Sequence, residues 1–323
     1  MNVSREARVC VFGDLLYDCF VWADRLPRVG ETVTGFRNGF FAGGKGGNQA
    51  VAAARLGART TMLGKIGRDS HGEFLRGSLR ESHIEDAGVL SDSEHPTGTC
   101  CVHVDRKGDN AIIVVPLANE SISADDTDRM IPFIRDADVF LCQLQTNLDA
   151  VERCLRAARD AGVMTVLNPA PAKPGAEQLF HLADYITPNE TEAESFSRCP
   201  QGTLGLDDWC GQSAAVLLRQ GARRVVITLG KQGSYYSDGA EALRMPPFPV
   251  DAVDSTAAGD AFNAAFAIQM ALGAGIGEAL RYANAAGAVA ASRHGSRPSL
   301  PTREDVLALM ARAEQPRSTG GTR

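Results

Sequence analysis

Short apolar runs rich in β-branched residues alternate with segments of helical periodicity along most of the chain. Such runs predict buried strands, and apolar residues that recur every third or fourth position predict amphipathic helices. Their alternation indicates an α/β fold with a doubly wound, mostly parallel sheet that helices cover on both faces. The predicted strands are 8–13, 60–66, 138–143, 163–168, 184–187 and 224–230. The predicted helices are 48–56, 71–82, 148–161, 190–197, 206–220, 258–274, 277–292 and 302–313.

Two regions, about 18–42 and 97–116, depart from this alternation because each reads as strands with no helix between them. In the second region a turn at 106–109 separates two apolar runs, which predicts a hairpin. We expect the two regions to form a small β-sheet that projects from the main domain, as a lid or as a dimer surface. Residues 1–314 read as a single domain with this lid, and the polar, Gly-rich tail 315–323 is predicted to be disordered.

Composition narrows the function classes. The net charge of −6 argues against a nucleic-acid partner, which favours a basic surface. The eight cysteines form no CxxC pair and several lie inside apolar runs, which indicates buried thiols in a reducing compartment. The uncharged segment 261–277 contains Asn263 and Gln269 and fits a core helix better than a membrane span. Because no signal-peptide pattern precedes the first strand, we expect a cytoplasmic enzyme without a membrane partner.

The segment 254–263, Asp-Ser-Thr-Ala-Ala-Gly-Asp-Ala-Phe-Asn, carries the strongest chemical signal. Small residues let a ligand approach the backbone. The first amides of the helix that follows have no partner within that helix and lie at its positive dipole end. Together these features predict an anion site. From the residues alone, Asp260 has two interpretations, a proton acceptor in phosphoryl transfer or an ordinary capping carboxylate.

A glycine-rich segment, 43–49, reads Gly-Gly-Lys-Gly-Gly-Asn-Gln and precedes a helix of small residues. It is not a Walker A loop, because glycine follows Lys45. It is not a GxGxxG fingerprint, because Gln49 occupies the place of the last glycine. Lys45 and Asn48 can hydrogen-bond sugar hydroxyls, but a flexible turn into a tightly packed helix explains the same residues.

Three further loops follow predicted strands, where a doubly wound sheet places its ligands. The loop 168–171 reads as a rigid structural turn. In the next loop, Asn189 and Glu192 lie three residues apart and can organise Mg²⁺ through water, although acids are also common in the first turn of a helix. In the loop 228–233, two glycines permit backbone contact with a nucleotide.

From Val9 to about Asp305 the chain resembles the ribokinase, or phosphofructokinase-B-type, carbohydrate kinase family. The resemblance rests on GGKGGNQAVAAARLGA at 43–58 and DSTAAGDAFNAAF at 254–266, with NPAPAKP, ITPNETEAE and TLGKQG in the family's order between them. It implies a ribokinase-like fold with a β-sheet lid. It also implies ATP-dependent phosphorylation of the primary hydroxyl of D-ribose, which gives ribose 5-phosphate and ADP. Phosphoryl transfer is therefore favoured over the capping interpretation of Asp260.

The resemblance also implies a role for each site residue. Asp260 would be the general base, and the amides of Ala257, Ala258 and Gly259 would form an anion hole. The sugar site would comprise Leu16, Asp18, Gly44, Lys45, Asn48, Gln145 and Asp260. The ATP site would comprise Asn189, Thr228, Gly230, Gly233, Gly259 and Asn284. Mg²⁺ would be held through water by Asn189 and Glu192. A monovalent cation, usually K⁺ in the family, would be held mostly through carbonyl oxygens by Asp254, Thr256, Ala290, Arg293, Gly295 and Ser299. The lid would pair with its counterpart in a homodimer.

Two positions depart from the family pattern. Leu16 stands where many members have Asn, and Gln145 stands where Glu is usual. Loss of a carboxylate removes a charged acceptor, and a hydrogen bond to a charged group contributes roughly 1.5–3 kcal/mol. The alternatives are therefore the same chemistry on deoxyribose, a ketohexose, a polyol or a nucleoside such as adenosine. A catalytically silent sugar-binding regulator is a further alternative, whereas a nicotinamide-dependent dehydrogenase is disfavoured because no GxGxxG follows the first strand.

Overall fold

The computed structural model describes residues 5–314, and the predicted tail 315–323 lies outside the described residues. Within this range the chain forms one nine-stranded sheet, one four-stranded sheet and helices that pack on the larger sheet. The strands are β1 Arg8–Phe12, β2 Leu16–Ala23, β3 Gly35–Gly43, β4 Arg59–Gly67, β5 Val89–Asp92, β6 Thr99–Val104, β7 Asn110–Val115, β8 Val139–Gln143, β9 Met164–Asn168, β10 Tyr185–Ile186, β11 Val225–Thr228, β12 Ser234–Ser237 and β13 Ala242–Met245. The α-helices are α1 Lys45–Arg55, α2 Ser70–Glu81, α3 Ala124–Arg135, α4 Leu148–Asp160, α5 Glu190–Ser197, α6 Leu206–Arg219, α7 Ala258–Ala271, α8 Ile276–Ala291 and α9 Arg303–Glu314.

The larger sheet has the strand order β13-β12-β11-β10-β9-β8-β1-β4-β5. Neighbouring strands run parallel except in the two pairs that contain β12. This arrangement confirms the predicted doubly wound, mostly parallel sheet. Its parallel strands end at one common edge, so the loops that follow them are brought together there.

Alternate side chains of β1 enter two different cores, because successive residues of a strand face opposite sides of a sheet. Val9 and Val11 pack in the core that includes residues of α1, α7 and α8. Cys10 and Phe12 pack in the core that includes residues of α3, α4 and α6. Apolar residues on both faces are typical of a parallel sheet between helical layers.

The predicted elements are confirmed with ends displaced by a few residues, and the structure adds others. Helix α1 begins at Lys45, ahead of the predicted 48. The prediction began too late because Gly46 and Gly47 lie in the first turn and glycine has a low helix propensity. Helix α3 contains Pro132, which obscured its periodicity. The short strands β5, β12 and β13 were also not predicted.

The four-stranded sheet, which we call the lid, has the strand order β3-β2-β6-β7. It confirms the predicted small sheet and its β6–β7 hairpin. Its first strand begins at Leu16, shortly after β1 ends, and β3 ends at Gly43, immediately before α1. The base of the lid therefore lies at the carboxyl end of β1.

The positions of the cysteines and of helix α7 agree with the predictions of buried thiols and of a core helix. Six of the eight cysteines are buried, while Cys19 and Cys101, both on the lid, are partly exposed. Residues 260–268 of α7 are all buried, as expected for the segment that begins at Ala261. None of the helices in residues 5–314 has the length and apolar character that a membrane crossing needs.

Candidate active site

A cavity of about 370 Å³ lies at the carboxyl ends of the parallel strands, between the larger sheet and the lid. Asn168 at the end of β9 and Thr228 at the end of β11 contribute to its wall, as does Cys100 of the lid. A larger cavity of about 570 Å³ includes Arg8 and Arg59, the first residues of β1 and β4, and so lies at the amino ends of these strands. None of the predicted site residues lines that larger cavity.

Most of the predicted catalytic and sugar residues meet in the smaller cavity. Predicted residues that line it are Leu16, Asp18, Gly44, Lys45, Asn48, Gln145, Asn189, Glu192, Thr228, Thr256, Ala257, Gly259 and Asp260. Lining residues that the sequence analysis had not assigned are Cys100, Val114, Asn168, Ala170, Ser255 and Asn263. Predicted residues that lie outside it are Ala258, Gly230, Gly233, Asn284, Asp254, Ala290, Arg293, Gly295 and Ser299.

The N-terminus of α7 presents backbone amides to the cavity. Ala257, the residue before the helix, has a left-handed conformation with φ of 61°, and no side chain caps the helix. The amide of Ala258 donates to the Ser255 carbonyl at 3.1 Å. Among residues 5–314, the amides of Ala257 and Gly259 have no acceptor. Gly259 is exposed, and a side chain there would meet no atom within 4 Å, so a ligand has room to approach the backbone at this residue.

Asp260 is not the capping residue of α7, since its carboxylate bonds to side chains of α1. Oδ2 accepts from Asn48 Nδ2 at 3.1 Å, and Oδ1 accepts from Gln49 Nε2 at 3.0 Å. Burial raises the pKa of Asp260, and the positive charge of Lys45 and the two amide hydrogen bonds oppose this increase. The carboxylate is therefore buried, oriented and reachable from the cavity.

Gln49 is a functional candidate that the sequence analysis had noted only as the residue that breaks a GxGxxG pattern. It is fully buried and does not line the cavity. Its Nε2 also lies 3.2 Å from Asn168 Oδ1, and its Oε1 accepts from Gln143 Nε2. An amide network thus connects Asp260 to the ends of β8 and β9, a connection that depends on long-range packing and leaves no local sequence signal.

The end of the cavity below the lid is acidic. Asp18 is 8% exposed, and burial together with the negative charge of Asp14 raises its pKa to about 7. Burial likewise raises the pKa of Asp14 to about 6. Asp18 Oδ1 and Asp14 Oδ2 are buried without a hydrogen-bond partner within residues 5–314. Of the two residues only Asp18 lines the cavity, so its oxygen can accept a hydrogen bond from a polar ligand there.

The buried guanidinium of Arg297 is near both carboxylates and was not predicted as part of the site. It donates to Ser78 Oγ at 2.7 Å and to the carbonyl of Gly43 at 3.2 Å. Burial lowers its pKa to about 10, and the negative charges of Asp18 and Asp14 oppose that decrease. Arg297 therefore connects the acidic end of the cavity to α2 and to the end of β3.

Asn189 and Glu192 bond to each other at the start of α5. The Asn189 side chain accepts from the Glu192 amide at 2.9 Å, and Glu192 Oε2 accepts from the Asn189 amide at 2.9 Å. This capping box is the structural role that acids at a helix start commonly have. Both residues also line the cavity, and burial raises the pKa of Glu192.

The residues predicted for the nucleotide base lie beyond one wall of the cavity. Asn284 on α8 donates to the carbonyls of Met245 and Pro246, at 3.3 and 3.1 Å. Gly233 has φ of 88°, and a side chain there would lie 2.2 Å from the Met245 carbonyl oxygen. The turn after β11, the end of β13 and helix α8 are therefore in contact.

The residues predicted for the monovalent cation lie on two connected segments next to α7. Asp254 accepts from the amide of Thr256 and from that of Gly295, each at 2.9 Å. The side chain of Arg293 pairs instead with Asp305 at 2.8 Å, so only its backbone carbonyl is left to contribute to this site.

Comparison with known proteins places this geometry in a family. Residues 6–303 match the model of the pfkB family carbohydrate kinases. The chain belongs to the pfkB family of carbohydrate kinases. It is 37% identical to a ribokinase of Bacillus subtilis (94% of this chain, 99% of the relative) and 35% identical to one of Haemophilus influenzae (94% and 98%). It superposes on Arabidopsis thaliana ribokinase complexed with ribose and ATP with a TM-score of 0.85, at 32% identity over 95% of this chain and 99% of that one.

The pfkB assignment confirms the resemblance inferred from the two signatures at 43–58 and 254–266. It also confirms the expected activity class, an ATP-dependent carbohydrate kinase. The structure adds that both signatures meet at one point, since Asn48 of the first signature bonds to Asp260 of the second.

Proposed function

We propose that this carbohydrate kinase transfers the γ-phosphoryl group of ATP to the primary hydroxyl of D-ribose, giving ribose 5-phosphate and ADP. The observation that carries the proposal is the position of Asp260, whose buried carboxylate lies in the cavity beside the amides of Ala257 and Gly259. A proton acceptor next to an anion-binding helix terminus suits phosphoryl transfer to a hydroxyl. The ribokinases that the chain resembles over nearly its full length support ribose as the substrate.

In the proposed reaction, Asp260 accepts the proton of the sugar hydroxyl. The hydroxyl oxygen forms a bond to the γ-phosphorus while the bond from this phosphorus to the β,γ-bridging oxygen breaks, and ADP leaves. The amides of Ala257 and Gly259 stabilise the negative charge on the transferred group. The amide of Ala258, the third proposed donor of the anion hole, donates to the Ser255 carbonyl in this structure and would have to leave it to take part.

The acidic end of the cavity is the proposed sugar site. The unpartnered carboxylate oxygen of Asp18, which lines the cavity, is a suitable acceptor for a sugar hydroxyl. Gly44, Lys45, Asn48 and Gln145 complete the polar wall, and Leu16 with Cys100 forms an apolar one. The apolar wall offers no strong hydrogen-bond donor or acceptor to a sugar hydroxyl, so a sugar that lacks one hydroxyl loses nothing there. The alternative substrate to test is therefore 2-deoxyribose.

The proposed nucleotide site begins at Thr228, which lines the cavity beside Asn189. From there it extends along Gly230 and Gly233 toward Asn284, with the phosphates directed at Gly259. Gly230 has φ of 48° and open space where a side chain would project, which permits close approach of a ligand to the backbone.

The residues around Glu192 fit a magnesium ion. Mg²⁺ prefers oxygen ligands, keeps several waters and is usually bound by one or two carboxylates with substrate phosphates. Glu192 supplies a buried carboxylate at the cavity wall, and Asn189 supplies an amide next to it. When bound with ATP, the ion neutralises charge on the phosphates.

A potassium site is proposed beside the anion hole. The Asp254 carboxylate, the Thr256 backbone, and the carbonyls of Ala290, Arg293, Gly295 and Ser299 would be its ligands. The fit rests on the hydrogen bonds that connect these segments, including those from the amides of Val253 and Asp254 to the Ala291 carbonyl at 2.9 and 3.2 Å. Replacement of K⁺ by a bulky organic cation should lower the rate, and an unchanged rate would argue against the site.

We propose a homodimer formed through the lid. On the face of the lid that also lines the cavity, Phe20 and Val104 are only partly buried, and Ile112, which pairs with Val102, is 55% exposed. An apolar sheet face of this kind is suited to burial against a second copy. Ile112→Asp should give a monomer in sedimentation experiments, and an unchanged mass would contradict this interface.

The proposed location is the cytoplasm, supported by cysteines that are all free in the structure.

The substrate assignment is tested by coupled ADP release with ATP, Mg²⁺ and K⁺ across ribose, deoxyribose, fructose, arabinose, xylulose, inositol and adenosine. The highest kcat/KM on ribose supports the proposal. Preference for another sugar keeps the chemistry and changes the substrate, and no turnover of any member would overturn the kinase mechanism.

A further inference from the structure

We propose that Gln49 is a positioning residue for the reaction, which holds the Asp260 carboxylate in the orientation that accepts the hydroxyl proton. The inference rests on the proposed role of Asp260 as general base. It begins from the two amide donors to this carboxylate, Asn48 and Gln49, which approach different oxygens at 3.1 and 3.0 Å. Asn48 also lines the cavity, whereas Gln49 does not.

The orientation of the Gln49 amide is determined by its neighbours. Gln143 donates to Gln49 Oε1, so Nε2 is directed at Asp260 Oδ1 and Asn168 Oδ1. Asn168 is fixed in turn, because its Nδ2 donates to the Thr187 carbonyl at 3.1 Å. If the Gln49 amide were reversed, its oxygen would face two other acceptor oxygens. The network therefore allows one orientation, in which Gln49 donates to the carboxylate.

The same network connects to the anion site. The hydroxyl of Thr187 donates to Asn263 Oδ1, and Asn263 Nδ2 donates to the Gly259 carbonyl at 2.8 Å. Gln49 and the first turn of α7 thus share supports on β9 and on the loop after β10. A displacement of Asp260 relative to the amide of Gly259 is opposed from both sides.

The donors around Asp260 stabilise its ionised form without competing for the proton. Gln49 and Asn48 are neutral amides that cannot act as bases. The charged or titratable groups near Asp260 are Lys45 on α1, Glu192 on α5 and Asp14 after β1. All three remain when Gln49 is replaced, so a change in the pH profile would report the loss of this one donor.

The test compares Gln49→Met with Gln143→Met in the full-length kinase. A hydrogen bond to a charged group is worth roughly a 10- to 100-fold change in rate when it acts on the reacting group. We expect Gln49→Met to lower kcat by about 10- to 100-fold, with KM for ribose and ATP within about 3-fold. The acid limb of the kcat–pH profile should move to higher pH, because the carboxylate has lost a donor. Gln143→Met, which removes only the orienting bond, should lower kcat by a smaller factor in the same direction.

Gln220→Met is the matched control, because Gln220 makes one amide bond of 2.9 Å to the Phe196 carbonyl at the end of α6. Its kcat and pH profile should not change. If Gln49→Met does not fold, Gln143→Met carries the test. Unchanged kcat in either folded variant, or a fall in thermal stability without a fall in kcat, would overturn the inference.

Asp260→Asn separates the positioning role of Gln49 from the general-base role of Asp260. If Asp260→Asn is inactive while Gln49→Met is normal, only the positioning role is wrong. If Asp260→Asn is active, the general-base assignment is wrong as well.

Discussion

Gly43→Ala tests the role of Asp18 in the proposed sugar site, because the added Cβ would displace the Asp18 carboxylate. Gly43 is the last residue of β3, and a Cβ at this position would lie 1.9 Å from Asp18 Oδ2 and 2.4 Å from its Cγ. Ordinary contact begins near 3.4 Å, so the carboxylate must move by about 1.5 Å. Asp18 is buried and short, and it cannot move that far while it still faces the same ligand atoms.

The expected loss is that of a hydrogen bond to a charged acceptor, about 1.5–3 kcal/mol. This loss corresponds to a rise in KM for the sugar of roughly 10- to 150-fold. The KM for ATP should stay within about 3-fold, because the displaced carboxylate lies at the acidic end of the cavity. The assay is steady-state ADP release with each substrate varied in turn.

Gly77→Ala is the control for this substitution. Gly77 lies in α2, and a Cβ there would meet no atom within 4 Å. Alanine should stabilise the helix by about 0.5–1 kcal/mol and leave both KM values unchanged. A normal sugar KM in Gly43→Ala would refute the assignment of Asp18 to the sugar site.

Three further predictions follow from separate contacts. Because the pKa of Asp18 is raised to about 7, its ionised fraction falls about 10-fold between pH 8 and pH 6. The KM for the sugar should therefore rise by a similar factor on acidification. A KM that does not change with pH would show that the charge of Asp18 does not contribute to sugar binding. Asn284→Ala removes the bonds to the carbonyls of Met245 and Pro246 and should raise the ATP KM about 3- to 10-fold in the ADP-release assay, while an unchanged value would separate Asn284 from the nucleotide site. Asp69→Ala removes the cap of α2 and its bond to the Thr97 amide, so urea unfolding should show a loss of about 1–2 kcal/mol with normal kcat, and equal stability would argue against this cap.

The frame of the fold could be predicted because its elements have strong local signals. Strand β1 is apolar on both faces, and helix α4 shows a clear amphipathic pattern. Helix α1 was placed too late because the glycines of its first turn have poor intrinsic propensity, and tertiary contacts determine its start. A Cβ at Gly46 would lie 2.7 Å from the backbone of Gly13, a contact that no local pattern encodes.

The residues of the candidate site likewise divide into those that a local sequence pattern reveals and those that only the packed structure reveals. Asp260 and Lys45 were found because each lies in a compact signature of small residues. Gln49, Gln143 and Arg297 were missed, since their importance arises from partners more than 90 positions away, as in the Gln143–Gln49 and Arg297–Gly43 bonds. Only the packed structure brings these residues together.

The central claim, that Asp260 accepts the hydroxyl proton during phosphoryl transfer to ribose, is tested most directly by single-turnover formation of ribose 5-phosphate. Wild-type protein and Asp260→Asn are compared at saturating ATP, Mg²⁺ and ribose, with nucleotide affinity measured in parallel. The account predicts that Asp260→Asn binds ATP normally but forms product at least about 100-fold more slowly. Product formation at a near-normal rate would contradict it.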